Sequence, residues 1–455
     1  MDNLEMKVMS AVAETTPSHL RGNGRPVTEE LTLADLKVNG KIPEELNGRY
    51  VRTGPNPITG TSTHPFLGDG MLHGMRLRDG KAEWYRNRYV QTPFITDPSV
   101  DVLDLSVMMD MKSSKANTHV MGHAGKILVL EEGHFPYVVD GQLNTVGPTD
   151  FEGALTGSFT AHPKICPTTG ELLAFGYSAL EPYLRYLRVS ADGKLVQTEN
   201  ITVGGPTMMH DFNITQNNVI FMDLPAVFNL ELAMTGEMPI RWDESYPARL
   251  GVMPRNGNDT QVRWFDINPC YVFHPLNSYE DGDKIIIDVA RFSHMWKAST
   301  MDFPPPELWR WTIDTVSGKV HEEQVDDRPA EFPRVADSVI GMKHRYGYLA
   351  GMSQTKDPSE ASGAILKYDR ETGVRSDIEF GRGRTGGEPV FVPAANSSAE
   401  DDGYLMTYIY DASSDSSSFV IMDAASMDSE PVASIDLPRI PGGFHGSWID
   451  ASVAN

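Results

Sequence analysis

The amino-acid sequence predicts an all-β fold, a β-propeller with long loops gathered on one face. Three observations predict it. Short runs rich in β-branched and aromatic residues recur at 126–130, 171–177, 218–224, 284–290, 346–350 and 403–410. Their starts are about 45 to 65 residues apart, close to the blade period of propeller repeats. Turn pairs such as Asp192-Gly193, Ser317-Gly318, Thr372-Gly373 and Asp402-Gly403 fall between them. Helical periodicity is scarce: 102–111 and 226–234, the latter opening just after Pro225, read as short amphipathic helices. Strict sequence repeats are absent, so the period alone does not fix the blade count.

Taken in order, residues 1–27 are rich in Ser, Thr, Gly and Pro and carry no period. They are expected to form a flexible arm or a strap over the surface, with 28–455 as one domain. Residues 36–43 read as a short strand and turn, and 46–57 as a strand stopped by Gly54-Pro55-Asn56-Pro57. Residues 75–77 and 82–85, joined through Asp79-Gly80, read as a hairpin. A length of 455 residues would suggest two or three domains, but large all-β folds exceed that rule as single units.

Composition excludes several functions. Hydrophobic residues at 40% and charged residues at 22% are ordinary for a globular chain. A net charge of −23 opposes binding to nucleic acid and electrostatic docking on anionic lipid. Residues 1–24 lack a basic region followed by an apolar run, and no stretch reaches the roughly 18 apolar residues of a membrane helix. A cytoplasmic location is expected, with any membrane contact peripheral and through an apolar patch. Cys166 and Cys270 form neither a C-x-x-C pair nor a zinc pattern, and are expected to pack as small apolar residues in a reducing compartment.

Four of the 13 histidines share a setting, a short apolar or glycine-rich context at the edge of a strand-like run. They are His162 in Phe159-Thr160-Ala161-His162-Pro163-Lys164, His210 in Met208-Met209-His210-Asp211-Phe212, His274 in Phe273-His274-Pro275-Leu276, and His445 in Gly442-Gly443-Phe444-His445-Gly446. No single helix or hairpin could join them. In a propeller, inner strands from blades far apart in sequence converge on one axis, so four histidines from four blades could meet at one metal. A lone histidine is more often a packed or surface residue than a ligand, and it is the shared context that singles these out. Imidazole nitrogen suits iron, zinc, copper and nickel. The local cysteine pairs of a structural zinc site are missing, and an all-nitrogen site with open positions suits an iron that binds O2. A ligating histidine needs its other ring nitrogen held, commonly by a carboxylate. Glu132, Glu331 and Glu388 stand in apolar, Gly- or Pro-flanked contexts that suit this task, although a Glu beside Gly or Pro is usually a turn residue.

With these segments in order, the chain resembles the carotenoid cleavage oxygenases, the family of carotenoid-, apocarotenoid- and stilbene-cleaving dioxygenases and the retinal pigment epithelium isomerase. The resemblance runs from about Leu36 to Trp448. It is carried by 46–57, Phe66-Leu67-Gly68-Asp69-Gly70-Met71-Leu72-His73, Tyr85-Arg86-Asn87-Arg88-Tyr89-Val90, Ala116-Asn117-Thr118, the histidine segments, 331–334 and 387–393. It implies a seven-bladed propeller with a dome of loops and short helices over one axial Fe(II). His162, His210, His274 and His445 fall on the iron ligands, Glu132, Glu331 and Glu388 on the carboxylates that orient three of them, and Thr118 on a threonine whose methyl crowds an open iron position. Glu131 and Phe273 are expected at the oxygen and substrate pocket with Thr118. The implied reaction is cleavage by O2 of a carbon–carbon double bond of a carotenoid or apocarotenoid to two carbonyl products. The alternative is a stilbene or other phenylpropenyl alkene. Stilbene-cleaving members carry a lysine near the carboxylate, where this chain has Glu131, Gly133 and His134, although Glu131 or His134 could also bond a phenol. His119, beside Thr118, has no assigned role, and 227–234 is expected to pack in the core, line the tunnel or touch a membrane.

Overall fold

The β-rich runs pair mainly with their neighbours in sequence, as hairpin-linked strands do. The sheets that result are seen in a computed structural model of the protein, in which residues 16–97, 99–100, 104–233, 238–299, 301–353, 355 and 360–453 are described. Seven antiparallel sheets of four to six strands form the blades of a β-propeller. Blades 2 and 3 open with His119–His123 and Lys164–Ile165, blade 4 with Asn213–Ile214, blade 5 with Tyr271–Asp281 and blade 6 with Ala330–Arg334. In blade 7, Arg384–Gly386 and Val390–Pro393 both lie along Gly403–Asp411, and Val38–Gly40 adds the outer edge. Residues 121–122, 164–165, 213–214, 275–278, 333–334 and 449–450 line one common cavity, which places the innermost strands of six blades around a shared axis.

Blade 1 closes the ring. Its Gly48–Pro55 strand pairs on one side with Gly70–Arg78 and on the other with Gly446–Asp450, in a register that sets Arg52 opposite Gly446 and Gly48 opposite Asp450. Tyr50, Tyr408 and Phe419 fill the seam between blades 1 and 7, with ring centroids 5.2–5.4 Å apart. Middle strands such as Leu172–Tyr177 are buried along their whole length because a blade lies against each face. The outer strand Leu195–Ile201 alternates with period two, one face being solvated. That difference is why the middle strands stand out as continuous apolar runs in the sequence.

Both expected helices are shorter than their patterns. In 226–234, Ala226–Phe228 is a strand paired with Ile240–Trp242, and only Leu230–Ala233 is helical; Met234 lies outside the described residues. β-branched Val227 and aromatic Phe228 fit a pleated pair, and the partner strand decides between two weak local preferences. In 102–111 the helix is Leu105–Met109, begun by Asp104 accepting from the Ser106 N–H; 102 and 103 lie outside the described residues. Residues 16–27 run across the surface: Asn23 O accepts from Gly442 N at 2.9 Å, Arg25 O from Arg439 at 2.6 Å, and Val27 exchanges two hydrogen bonds with the Asn56 side chain. Both cysteines are buried and unpaired with each other.

The seam makes a direct prediction. Phe419→Ala should lower stability by about 3–5 kcal/mol, the usual cost of emptying a buried aromatic site, seen as a fall in the chemical-denaturation midpoint. Val374→Ala, at an exposed position on the rim of blade 6, should leave the midpoint within about 0.5 kcal/mol of the parent.

Candidate metal centre

Each of the four histidines stands where a blade's innermost strand begins or bends. His162 precedes Lys164–Ile165, His210 precedes Asn213–Ile214, and His445 immediately precedes Gly446–Asp450. His274 sits inside Tyr271–Asp281, where the pairing register slips between Val272 and Pro275. Pro275 has no N–H to give the ladder, and the bulge turns the His274 ring toward the axis. His445 is fixed by backbone: its N–H donates to Thr118 O and its carbonyl accepts from Thr53 N, both at 3.1 Å. Its loop passes so close to the first blade that a Cβ at Gly54 would lie 2.6 Å from Gly443 Cα, so glycine is required there.

The rings meet. His162 lies 4.5 Å from His210, 5.0 Å from His274 and 4.6 Å from His445, measured between ring centroids. His274 lies 5.0 Å from His210 and 4.6 Å from His445. Donor nitrogens of His162, His210 and His274 all fall within 4.8 Å of one another, close enough to hold a single ion.

Three rings are held from behind by carboxylates. Glu132 Oε1 contacts His210 Nδ1, Glu331 Oε2 lies 2.6 Å from His274 Nδ1, and Glu388 Oε1 lies 3.0 Å from His445 Nδ1. These carboxylates are themselves held. Tyr177 donates its hydroxyl to Glu132, the Phe332 N–H donates to Glu331, and the Gly446 N–H donates to Glu388 Oε2 at 2.8 Å while Arg334 donates to Oε1 at 3.3 Å. A carboxylate on Nδ1 fixes the proton there and leaves a lone pair on Nε2. His210 Nε2 and His274 Nε2 then face each other across 3.2 Å with no proton to share, and the buried His162 Nε2 has no hydrogen-bond partner. A cation among these nitrogens resolves all three. Burial, reinforced by the neighbouring imidazoles, holds His162 and His445 well below the usual histidine range and His274 down to about 3, so these rings are neutral, as ligation demands.

The other expected residues divide. Thr118 is buried and bonded through its carbonyl to His445, but its hydroxyl donates to Asn117 Oδ1 at 3.0 Å. Glu131 accepts from Ser114 and His134 at 3.1 and 2.8 Å, one residue from Glu132. Phe273 packs its ring 4.8 Å from His210 and belongs to an aromatic cluster with Phe66, Trp296 and Phe292. None of these three lines the axial cavity of about 490 Å³ that reaches His162, His274 and His445 from the inner strands.

Sequence reasoning missed several participants. His119 is buried, stacks 6.0 Å from His162 and is fixed between Ala161 O at 2.9 Å and Ser447 Oγ at 3.4 Å. Among the described residues no carboxylate bonds to His162; Asp211 Oδ2 stands 4.0 Å from its Nδ1 and takes a 2.8 Å bond from Lys164. Charged residues inside otherwise apolar histidine segments, Lys164 and Asp211, were the available signal. Tyr177 carried none beyond its place at a strand end.

A sequence model of the family described as retinal pigment epithelial membrane protein matches residues 24–450. The chain is 38% identical to a carotenoid cleavage oxygenase of Mycobacterium tuberculosis, over 96% of this chain and 98% of that one. The chain belongs to the carotenoid cleavage oxygenase family. It is also 35% identical to a carotenoid 9,10(9',10')-cleavage dioxygenase of Arabidopsis thaliana, over 99% of this chain and 93% of that protein. Among solved structures, the lignostilbene dioxygenase of Pseudomonas brassicacearum superposes with a TM-score of 0.85 at 28% identity, over 96% of this chain and 99% of that one. Family membership and the convergent histidines agree on an enzyme built around a metal.

If the carboxylates orient the rings, Glu388→Gln should weaken metal binding by about 10–100-fold while the propeller stays folded. A cobalt(II) titration followed by visible absorbance measures this, with circular dichroism as the check on folding. Gly54→Ala, by displacing the His445 loop, should lower both metal stoichiometry and thermal midpoint.

Proposed function

We propose that this family member is an iron-dependent dioxygenase that cleaves a carbon–carbon double bond of a carotenoid or apocarotenoid. One Fe(II) per chain would be held by His162, His210, His274 and His445. The observation that carries the proposal is that His210 Nε2 and His274 Nε2 face each other at 3.2 Å while Glu132 and Glu331 contact the opposite Nδ1 atoms. Ferrous iron bound there would supply the position at which O2 is activated. The atoms balance without an acid or base: both oxygen atoms of O2 end in two carbonyl products.

The chain's own residues do the remaining work. Glu132, Glu331 and Glu388 fix the rings, so little rearrangement is needed when the alkene arrives. Aromatic side chains packed between the surface and the site would border a dry route for it. Phe303, exposed at the surface, lies 6.3 Å from Phe66, which lies 6.1 Å from Phe273, which packs on His210. Such a path would register one double bond beside the metal and exclude water. Exposed Leu67 and Met301 flank its outer end, which supports peripheral contact with a membrane as the place where an apolar polyene is collected. No helix among the described residues is long and apolar enough to cross a membrane.

A second reading, cleavage of a phenolic stilbene-like alkene, rests on the Ser114–Glu131–His134 group beside Glu132, whose carboxylate would accept a phenol. One experiment separates the two. Protein purified without air and loaded with Fe(II) is exposed to O2 with β-carotene, an apocarotenal, resveratrol and isoeugenol, and products are read by mass. An aldehyde pair from a polyene, absent with His274→Ala, is expected. Cleavage of the phenolic alkenes alone would favour the second reading, and no turnover with iron bound at one per chain would overturn both.

A further inference from the structure

A second cleft lies between blades 1 and 2, and none of the residues lining it lines the axial cavity. It encloses about 490 Å³. Blade 1 contributes Arg49, Arg76, Arg78, Glu83 and Trp84; Lys126, Asp140 and Gln142 come from blade 2 and its turns. In a chain with a net charge of −23, four cations around one cleft is a marked local reversal.

Two of these cations are out of balance. Arg49 and Arg76 stand directly opposite each other on paired antiparallel strands, where like charges repel. Both are almost fully buried, 3% and 4% exposed. Arg49 has one hydrogen bond, from Nη1 to Val453 O at 2.9 Å, and forms no ion pair among the described residues. Among the described residues its Nε is buried without a partner, as is Nη1 of Arg76. The two carboxylates that line the cleft do not make up the deficit. Glu83 is shared between Arg76 and Arg78 at 3.4 Å to each. Asp140 spends its oxygens on its own turn, accepting from Gln142 N, Asn144 N and Asn144 Nδ2 at 2.8–2.9 Å. Buried charges are seldom left unpaired, and a guanidinium fork matches a tetrahedral oxyanion.

We infer that this cleft is an anion site for a phosphate group, held by Arg49 and Arg76 on its floor and by Arg78 and Lys126 at its rim. The phosphate supplies the negative charge that the paired arginines lack, and it ties blade 1 to blade 2. Inorganic phosphate and the phosphate of a small ester share this chemistry.

The test is the thermal midpoint of the iron-loaded protein against added sodium phosphate, with sodium chloride at matched ionic strength as the reference and glycerol 3-phosphate in a parallel arm. A saturable rise of several degrees with phosphate, beyond that with chloride, is expected. A matching rise with glycerol 3-phosphate would show a site open to esters, and its absence a site closed around the free ion; both belong to the proposal. Arg76→Gln should abolish the rise. Because that residue is buried and the variant could fail to fold, Arg78→Gln/Lys126→Gln is the second probe: both side chains are exposed at the rim, and the phosphate concentration giving half the rise should increase about tenfold. Equal responses to phosphate and chloride, or a rim variant that matches the parent, would overturn the proposal.

Discussion

The pairing of Gly446–Asp450 with Gly48–Pro55 is the constraint on which the rest of the molecule depends, because it is both the closure of the ring and the anchor of His445. A propeller ring is closed when strands from distant parts of the chain share one blade, and here Gly446–Asp450 completes blade 1 as its innermost strand. Here the meeting strand begins one residue after a histidine whose backbone bonds to Thr53 and Thr118, so the contact that joins the ends also sets the fourth ring against those of His162 and His274. Shape and site are therefore not separable in blade 1, and the glycine at 54, which lets the two segments touch, serves both.

The axis collects groups that would be costly in any ordinary core. Several neutral imidazoles present lone pairs to one another, and three carboxylates lie behind them with little solvent. Burial pushes the Glu331 carboxyl up to about 8 against the opposing Phe332 N–H bond, so the carboxylate form that holds a proton on His274 Nδ1 calls for a compensating cation nearby. Arg334 on Glu388, Tyr177 on Glu132 and Lys164 on Asp211 spread the remaining demand over neighbouring blades. Such a network fixes ring orientation in the absence of ligand, which suits a metal whose open positions must stay open.

What could be read in the sequence follows from how local each signal is. His162, His210, His274 and His445 were legible because each is framed by its own short apolar segment, and the middle strands were legible because burial on both faces makes them continuous apolar runs. The count of seven came from the family resemblance and the assembled sheets, since blades 1 and 7 draw strands from both ends of the chain and no period along the sequence records that exchange. The roles of His119 and Tyr177 exist only once separate blades converge, so a linear reading has no access to them, and Asp211 left only its charge beside His210 as a signal. The 226–234 segment shows the converse: its helical pattern was real, but pairing with Ile240–Trp242 outweighed it over the first three residues.

Closure by the last strand also orders events during synthesis. Arg52 and its partner Gly446 are separated by nearly four hundred residues, an interval of roughly 20–80 s at ribosomal rates. Throughout that time Gly48–Pro55 has one unsatisfied edge, the kind of exposed ladder that recruits strands from other chains. His162, His210 and His274 have all been made before His445 exists, so a partial ring can already offer three nitrogens to a passing ion.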